Sequence, residues 1–332
     1  MQDKKKKPVI LINGIVQKEI VPALSPYFEI KQWTKSPIMP LDILEKEIPF
    51  VDALILAYNS KLPSNIIEKG KNLKIIVQHF VGYENVDISA CTKYNIPFCN
   101  TSSASINTVA ELAIAFIFLA SRHIIECNQY VKNGDWLNKK ASDFLFGYDI
   151  NGATLGILGM GKIGFSIAKK AQNLGMNILY HNRRRHLELE NNKLKFADLN
   201  FLCQKSDIIV NVLPSSKQTY HMISMENFKQ MKKNCIFINV GRGDTIVTED
   251  LISALEKKYI SQAVLDVFEV EPLDNRSVLA SLPNVICTPH IGSNTEKTRL
   301  KKSEITIQNI LNFFSNKELI DCVNPEVLKN NM

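Results

Sequence analysis

The chain has 332 residues, of which 45% are hydrophobic and 22% charged, and its formal net charge is +7. This length allows two domains with separate cores, and the composition excludes a disordered chain. The positive charge is spread over the sequence, with local clusters at 4–7 and 183–185. No aromatic residues are interleaved with the N-terminal lysines, so we expect no nucleic-acid partner.

Seven cysteines are scattered without CxxC spacing. This is typical of buried thiols in a reducing compartment, and of neither a disulfide framework nor a metal site. The apolar run after the lysines is short and is interrupted by Asn13-Gly14, unlike a signal peptide. The most apolar later stretch, Leu112 to Ala120, follows Glu111 and does not approach the length of a membrane span. We therefore expect a cytoplasmic protein with no metal and no membrane partner.

Residues 8 to 100 alternate between β-prone and helix-compatible segments, which predicts a parallel sheet. The predicted strands are Val9–Ile12, Phe28–Lys31, Ala53–Ala57, Lys74–Gln78 and Pro97–Cys99, and the predicted helices include Leu41–Lys46 and Asn65–Lys69. A loop with the sequence VGY follows the fourth strand at Val81 and Gly82. Ligands bind beyond the carboxyl ends of strands in such sheets, so this loop is a candidate site.

A long helix is predicted from Val109 to about Val131, with apolar sides suited to burial between domains or in a dimer. A second series of six strands follows at 153–158, 177–181, 207–212, 235–240, 261–267 and 285–288, with helices at 162–174, 198–204, 225–232 and 248–258. This alternation predicts a complete doubly wound domain. We expect a last helix, about 295–315, to return to the first domain, which would then be discontinuous.

The segment 153–164 reads ATLGILGMGKIG, in which a β-prone run leads into a glycine-rich turn. Gly159 permits the tight turn, Gly161 lets backbone N–H groups approach a pyrophosphate, and Gly164 allows close packing of helix on strand. The helix that begins near Lys162 would direct the positive end of its dipole toward the phosphates. Because this motif joins a predicted strand to a predicted helix, it predicts dinucleotide binding.

The second strand of this series is followed by Asn182-Arg183-Arg184-Arg185. No carboxylate occupies the position where an Asp or Glu would accept hydrogen bonds from the adenosine ribose. An Asp would repel a 2′-phosphate, whereas a neutral Asn beside arginines suits one. We therefore expect NADP(H) to be preferred over NAD(H). The alternative to a phosphate site is that these arginines form a solvated turn. This would explain their charge but not the missing carboxylate.

Three polar residues each stand just past a strand of the second series. Arg242 lies in the sequence NVGRGD, Glu271 in DVFEVEP and His290 in TPHIGS. Hydride transfer to a 2-oxo acid needs a cation to hold the carboxylate and polarise the carbonyl, a role that suits Arg242. It also needs an acid for the forming alkoxide, which the imidazole of His290 with its partner Glu271 could supply. The hypothesis depends on these three residues occurring together beside a dinucleotide fold.

Along nearly its full length the chain resembles the D-isomer-specific 2-hydroxyacid dehydrogenase family. The resemblance is carried by the glycine motif, by VGRG at 240–243, by DVF with Glu271-Pro272 and by TPHIGS at 288–293. Outside the predicted dinucleotide domain, VGYENVD at 81–87, VAE at 109–111 and VNPE at 323–326 also match.

This resemblance implies an α/β fold of two Rossmann-like domains. The first, residues 1–103 plus 292–332, is a discontinuous flavodoxin-like domain that binds the substrate. The second, residues 104–291, is an inserted doubly wound domain that binds NAD(P). The resemblance further implies that the first domain closes over the cleft, and that homodimers form through the segment around 105–150.

The resemblance also assigns site residues. It implies Arg242, Glu271 and His290 as the catalytic trio, with Arg242, His290 and the backbone N–H groups around Val81 and Gly82 holding the substrate. Asp266 is implied to meet the nicotinamide carboxamide. From the glycine motif, the second strand and the resemblance together, the expected cofactor-binding residues are Thr108, Gly159, Gly161, Lys162, Ile163, Gly164, Asn182, Arg183, Arg184, Pro214, Val240, Gly241, Asp266 and Gly292.

Within the family, VGYEN at 81–85 and the arginines after the second strand are most similar to glyoxylate/hydroxypyruvate reductases. We therefore predict NAD(P)H-dependent reduction of one of these small 2-oxo acids to its D-2-hydroxy acid. Glu271 argues against formate dehydrogenases, which lack it. Phosphoglycerate dehydrogenases often carry an Arg at the start of the substrate loop, which here reads Gln78-His79-Phe80. A D-3-phosphoglycerate or D-lactate-type dehydrogenase stays the alternative, and a non-enzymatic, dinucleotide-sensing corepressor-like protein is a third.

Overall fold

The computed structural model describes residues 6–57, 60–138 and 146–330. The chain divides into two compact units, which we call unit 1 (residues 1–105 and 294–332) and unit 2 (residues 106–293). The predicted domain boundaries, after 103 and after 291, each lie two residues before these limits. Lys4 and Lys5 of the N-terminal lysine run lie outside the described residues.

Unit 1 contains a five-stranded sheet in which all neighbouring strands are parallel. Its strands are β1 (Val9–Ile12), β2 (Glu29–Gln32), β3 (Ala53–Leu56), β4 (Ile75–Gln78) and β5 (Phe98–Cys99), in the spatial order β2-β1-β3-β4-β5. Every residue of β1, β3 and β4 is buried, because helices cover both faces of a parallel sheet. The edge strand β2 is mostly exposed and its sequence, EIKQ, is mostly polar.

Unit 2 contains a seven-stranded parallel sheet. Its strands are β6 (Thr154–Leu158), β7 (Asn177–His181), β8 (Leu194–Phe196), β9 (Ile208–Asn211), β10 (Ile236–Asn239), β11 (Gln262–Leu265) and β12 (Val285–Cys287). The spatial order is β12-β11-β10-β9-β6-β7-β8, which places the topological switch point between β6 and β9. The predicted α/β class with two parallel sheets is confirmed.

Helices connect the strands throughout both units. They are α1 (Ile20–Leu24), α2 (Leu41–Glu47), α3 (Ser64–Ile67), α4 (Ile88–Lys93), α5 (Ser102–Ser121), α6 (Ile124–Lys132), α7 (Lys162–Asn173), α8 (Leu199–Lys205), α9 (Met225–Gln230), α10 (Thr248–Glu256), α11 (Val278–Ser281) and α12 (Glu296–Phe314). Within unit 1, α12 packs on the sheet through Ile310, which shares a core with β1, β3 and β4.

Three details of the predicted elements were wrong. The long helix expected from 109 to 131 begins at Ser102 and is interrupted after Ser121, because His123 adopts a left-handed conformation with φ 48°. Strand β8 was missed, since its three residues, LKF, form a strand only through pairing with β7. Helix α4 was missed as well; it begins with the side chain of Asp87 accepting a hydrogen bond from the Ala90 N–H.

The expectation that no stretch approaches the length of a membrane span was also wrong. Helix α5 is long and apolar enough to cross a membrane by length and composition. Its small polar residues from 102 to 108 hide this length in the sequence. The buried residues Ala110, Ala113, Phe116, Ile117 and Ala120 of this helix belong to the core of unit 2, which identifies α5 as a core helix.

A histidine is buried in unit 1 directly after β4. His79 is 1% exposed, and its Nδ1 lies 2.9 Å from the hydroxyl of Thr306, which itself donates to the carbonyl of Lys302. Nδ1 therefore carries the proton, and Nε2 is buried without a hydrogen-bond partner. Burial, with smaller contributions from the charges of Lys302 and Arg299, lowers the pKa of His79 to about 4.

This buried imidazole predicts acid sensitivity. Because the folded pKa lies below the unfolded value of 6.5, the unfolded chain binds a proton first, and stability falls as the pH drops from about 6.5 toward about 4. We expect urea unfolding to show a loss of roughly 1–3 kcal/mol over this window that is much reduced in His79→Gln. His186→Gln, at a more exposed histidine, is the control. An unchanged pH dependence in His79→Gln would contradict this assignment.

Candidate active site

The carboxyl ends of three neighbouring strands of unit 2 approach each other closely at two glycines. Gly159, after β6, has a φ of +100°, and a Cβ on it would lie 3.2 Å from the carbonyl of Val212. A Cβ on Gly241, after β10, would lie 2.7 Å from the carbonyl oxygen of Leu213. The backbone that follows β9 therefore passes between the two glycines. Pro214, which comes next, accepts a hydrogen bond from Thr219 Oγ1 at 2.6 Å.

The first turn of α7 presents main-chain groups for an anion. A Cβ on Gly164 would lie 2.1 Å from the carbonyl oxygen of Gly159, so only a glycine lets α7 begin this close to β6. At the N-cap, Gly161 provides no side-chain cap, and nothing lies within 4 Å of the position of its missing Cβ. This open helix start, with Lys162 and Ile163 as its first residues, fits the pyrophosphate of a dinucleotide.

The end of β7 adjoins the glycine turn, because the Gly159 N–H donates to the carbonyl of His181 at 2.9 Å. The arginines that follow β7 differ in the hydrogen bonds that they make. Arg185 binds both carboxylate oxygens of Glu190, at 2.7 and 2.8 Å, and this pairing lowers the pKa of Glu190 to about 2. Arg183 makes one longer bond, of 3.3 Å, to Gln218.

Two exposed arginines therefore stay available next to the glycine turn. Arg184 has no hydrogen bond or ion pair within the ranges that the structure describes, and the single bond of Arg183 is to a neutral amide. Asn182 is half-buried and carries no charge. This end of β7 can accept a phosphate group, whereas Arg185 is already neutralised by its carboxylate partner.

A buried polar network beneath Arg242 was not predicted from the sequence. Asn211 and Asn239 are the last residues of β9 and β10, and both are fully buried. The amide of Asn211 donates to Asn239 Oδ1 at 3.1 Å and to Thr245 Oγ1 at 2.7 Å. Asn239 Nδ2 and Thr245 Oγ1 both donate to the carbonyl of Arg242, at 3.0 and 2.6 Å. The network thus fixes the backbone from which this guanidinium projects.

The loop after β12 is held by one buried carboxylate. Asp266 is 1% exposed and accepts hydrogen bonds from the Thr288 hydroxyl at 2.6 Å and from the N–H groups of Ile291 and Gly292, both at 2.8 Å. A Cβ on Gly292 would lie 3.1 Å from Asp266 Oδ2, so a larger residue would disturb this contact. His290 lies between these anchors and adopts a left-handed conformation with φ 52°.

This turn directs the imidazole of His290 toward Glu271. Nδ1 of His290 donates to Glu271 Oε2 at 2.8 Å, and the other carboxylate oxygen accepts from the Phe268 N–H at 3.0 Å. Burial raises the pKa of Glu271, but the hydrogen bonds from His290 and Phe268 and the charge of Arg242 outweigh it and hold the pKa below its usual value. The structure therefore brings Arg242, Glu271 and His290 together with the carboxylate ionised.

A second histidine–glutamate pair lies two residues away along the same segment. His221 Nε2 lies 2.7 Å from Glu269 Oε1, and the other oxygen of Glu269 accepts from Thr248 Oγ1 at 2.7 Å. The ring of His221 stacks on Tyr220, with centroids 3.9 Å apart. Both hydrogen-bond partners of Glu269 are side chains of its own unit. These two bonds therefore hold the segment that carries Glu271 in place. The sequence contains no spacing that would have signalled the pair.

The remaining predicted cofactor residues lie along the same edge of unit 2. Thr108 is on α5, beside Val109, and a Cβ on Gly292 would contact the Val109 side chain at 3.5 Å. Asn107 on the same helix accepts a hydrogen bond from Ser166 of α7 at 3.1 Å. Val240 is buried directly after β10. The N-terminal half of α5 thus borders both the start of α7 and the loop of His290.

In unit 1, the carbonyl groups of the loop after β4 are hydrogen-bonded by neighbouring side chains. The carbonyl of Val81 accepts from Asn100 Nδ2 at 2.7 Å, and the carbonyl of Gly82 accepts from the amide of Gln78. Among the described residues, no acceptor is bound by the N–H of Val81 or of Gly82. Two adjacent N–H donors, in a loop whose carbonyl groups are already hydrogen-bonded, suit the binding of a carboxylate. Sequence reasoning did not assign these supporting roles to Gln78 and Asn100.

A doubly wound sheet, an open glycine turn and a histidine hydrogen-bonded to an ionised glutamate at one sheet edge define an oxidoreductase that uses a nicotinamide dinucleotide. Residues 114–292 match the model of the D-isomer specific 2-hydroxyacid dehydrogenase family, NAD binding domain. The chain belongs to the D-isomer-specific 2-hydroxyacid dehydrogenase family.

Individual relatives agree with this assignment. A glyoxylate reductase of Pyrococcus horikoshii is 35% identical over 327 residues, which cover 97% of this chain and 98% of the relative. Among solved structures, the NADPH-dependent glyoxylate/hydroxypyruvate reductase of Sinorhizobium meliloti, in complex with NADP and malonate, superposes with a TM-score of 0.85 at 27% identity. That match covers 96% of this chain and 97% of the other. A glyoxylate reductase of Paecilomyes thermophila has the same TM-score at 28% identity, covering 96% and 99%.

Proposed function

We propose that this protein reduces glyoxylate or hydroxypyruvate to the D-2-hydroxy acid with NADPH. The observation that carries the proposal is the hydrogen bond between His290 and the ionised Glu271, beside Arg242 and at the sheet edge of a dinucleotide motif. The names of the relatives, glyoxylate reductases and glyoxylate/hydroxypyruvate reductases, support the choice of substrate.

In this mechanism Arg242 binds the substrate carboxylate and polarises the carbonyl to be reduced. Its guanidinium suits this role because it presents a planar fork of donors, and the network of Asn239 and Thr245 holds its backbone in place. The N–H groups of Val81 and Gly82 are proposed, from the resemblance to the family, as further substrate ligands. The nicotinamide cofactor supplies the hydride when bound, and Asp266 is proposed to meet its carboxamide.

His290 donates the proton that the forming alkoxide requires. With Nδ1 bonded to Glu271, Nε2 is the nitrogen that can face the substrate. After proton transfer the same hydrogen bond holds the neutral ring in one tautomer and orientation.

Replacing Glu271 by Gln removes the carboxylate that holds Nδ1 of His290 and keeps the shape of the side chain. We expect kcat for reduction to fall about 10²-fold, because the imidazole is then less well oriented for proton transfer. His290→Ala should lose about 10²–10⁴-fold in kcat at every pH. Steady-state rates followed at 340 nm, the absorbance band of the reduced nicotinamide, measure both effects.

Glu269→Gln is the matched control, since it breaks the neighbouring histidine–glutamate pair and leaves Glu271 in place. Its kcat should equal that of the unmodified protein. If Glu269→Gln lowered kcat and Glu271→Gln did not, the assignment of the acid–base pair would be wrong.

The preference for NADPH is proposed from Arg183 and Arg184. We expect Arg184→Ala, alone or with Arg183→Ala, to reduce kcat/KM with NADPH about 10- to 100-fold and to change the value with NADH little, because a charged hydrogen bond to the 2′-phosphate is lost. Arg276→Ala, at an exposed arginine paired with Asp274, is the control.

The substrates for this comparison are glyoxylate, hydroxypyruvate, pyruvate and phosphohydroxypyruvate, each with NADPH and NADH. Faster turnover of the unmodified protein with NADH would contradict the phosphate-site hypothesis and leave the family assignment intact. Faster turnover of phosphohydroxypyruvate or pyruvate would replace the proposed substrate.

We also propose a cytoplasmic homodimer. Support for the cytoplasm comes from the seven cysteines, whose scattered positions are typical of thiols in a reducing compartment. Large apolar side chains are exposed along residues 118–146 of unit 2, namely Phe118, Ile124, Ile125, Val131, Trp136, Leu137 and Phe146. A single-chain protein seldom leaves such a series in water, so a second copy of the chain is proposed to cover it.

Light scattering during gel filtration tests the dimer. We expect a mass twice the 37.6 kDa of one chain, and the mass of one chain after Trp136→Glu with Leu137→Glu. Phe50→Glu, at an apolar side chain of unit 1 that is 68% exposed, is the control and should not change the mass. A monomeric unmodified protein at micromolar concentration would contradict the proposal.

A further inference from the structure

Two cysteines face each other across an antiparallel pairing within unit 1. Cys99, the last residue of β5, is bridged to Cys322 of the C-terminal segment. The Asn100 N–H donates to the carbonyl of Asp321 at 3.2 Å, and the Val323 N–H donates to the carbonyl that precedes Cys99 at 2.8 Å. These bonds flank the cysteines, which are therefore a non-hydrogen-bonded antiparallel pair.

This type of pair brings side chains closest together. Opposed Cα atoms lie about 4.5 Å apart, and both side chains project to the same face of the ladder. A disulfide spans Cα separations of about 4.4–6.8 Å, so Cys99 and Cys322 could be joined with little movement of the backbone. Cys91, the third cysteine of unit 1, provides no such arrangement, since no β-bridge pairs it with a cysteine in the described residues.

The two thiols interact and differ in character. A hydrogen-bonding interaction with Cys322, together with burial, raises the pKa of the Cys99 thiol. The same hydrogen bond lowers the pKa of Cys322, although partial burial opposes it. Cys322 is partly exposed, whereas Cys99 is fully buried. Cys322 is therefore the thiol that a soluble oxidant can reach, and it is also the thiol that forms a thiolate more easily.

We propose that Cys99 and Cys322 are a modification site that forms a reversible intramolecular disulfide with a low-molecular-weight disulfide as oxidant. The Cys322 thiolate attacks one sulfur of the oxidant, whose S–S bond breaks and releases one thiolate. The Cys99 thiol then gives up its proton to that thiolate or to water and attacks the Cys322 sulfur, releasing the second thiol. Two protein thiols are oxidised, and one oxidant disulfide is reduced to two thiols.

The residues beside this pair support the loop that is proposed to hold the substrate carboxylate. Asn100, next to Cys99, binds the carbonyl of Val81. The carboxylate of Asp321, next to Cys322, accepts from the Ser103 N–H at 2.7 Å, at the start of α5. The disulfide would thus join the C-terminal segment covalently to the support of this loop. The disulfide can form whether or not the proposed function is correct, because its formation depends only on the two thiols.

The experiment treats the full-length protein with glutathione disulfide, blocks the remaining thiols with an alkylating agent and identifies linked peptides by mass spectrometry. We expect the loss of two hydrogens, a peptide containing Cys99 linked to one containing Cys322, and full reversal by dithiothreitol. The oxidised protein should also unfold at a temperature higher by about 5 °C, because the bond constrains the unfolded chain.

Cys322→Ser should abolish the linked peptides, and Cys99→Ser should leave glutathione attached to Cys322. Cys127→Ser, at a partly exposed cysteine of unit 2, is the matched control and should form the disulfide normally. Melting curves in reductant establish that each variant is folded. Linkage of other cysteines in the folded protein, or glutathione that stays on Cys322 of the unmodified chain, would overturn the proposal.

Discussion

The arrangement of His290 and Glu271 at the sheet edge of unit 2 depends on the buried carboxylate of Asp266. Removing a charge from water is costly, and here three donors from the 288–292 loop compensate it. Those donors are available only if the loop makes a tight turn, which places His290 in the left-handed region. The strain of that conformation is therefore balanced by the hydrogen bonds on either side of it, and the imidazole is aligned with Glu271 before any ligand arrives.

Close backbone contacts provide the second constraint. The chain after β9 passes between Gly159 and Gly241, and α7 starts against the carbonyl of Gly159 because residue 164 has no side chain. Each glycine is thus required by another segment's main chain, not only by its own turn. Anchoring three strand ends to one another in this way keeps the open start of α7 in a fixed position relative to Arg242.

Local patterns were sufficient for most of the fold. Strands such as β6 and β7 are continuous β-prone runs bounded by turn residues, and the rule that strand ends share a sheet edge placed Arg242, Glu271 and His290 within one unit. The interruption at His123 and the strand β8 depend on packing and pairing that no short window contains. The same applies to the hydrogen bonds of Asn211 and of Glu269. The partners of both residues are 20 or more residues away in sequence. Individual contacts to the cofactor and the substrate stay predictions.

The loop after β4 has a consequence for how specificity can change in this protein. The groups proposed to bind the substrate carboxylate are backbone N–H groups. The side chains of Gln78 and Asn100 hold the loop by donating hydrogen bonds to its carbonyl groups. If these N–H groups bind the carboxylate as proposed, the backbone recognises the acid group and the side chains of the loop are not needed for it. Substitutions at Phe80 or Tyr83 would then alter which 2-oxo acid is accepted without removing the ligands of the group common to all of them. In that arrangement, separate parts of one loop contact the constant part and the variable part of the ligand.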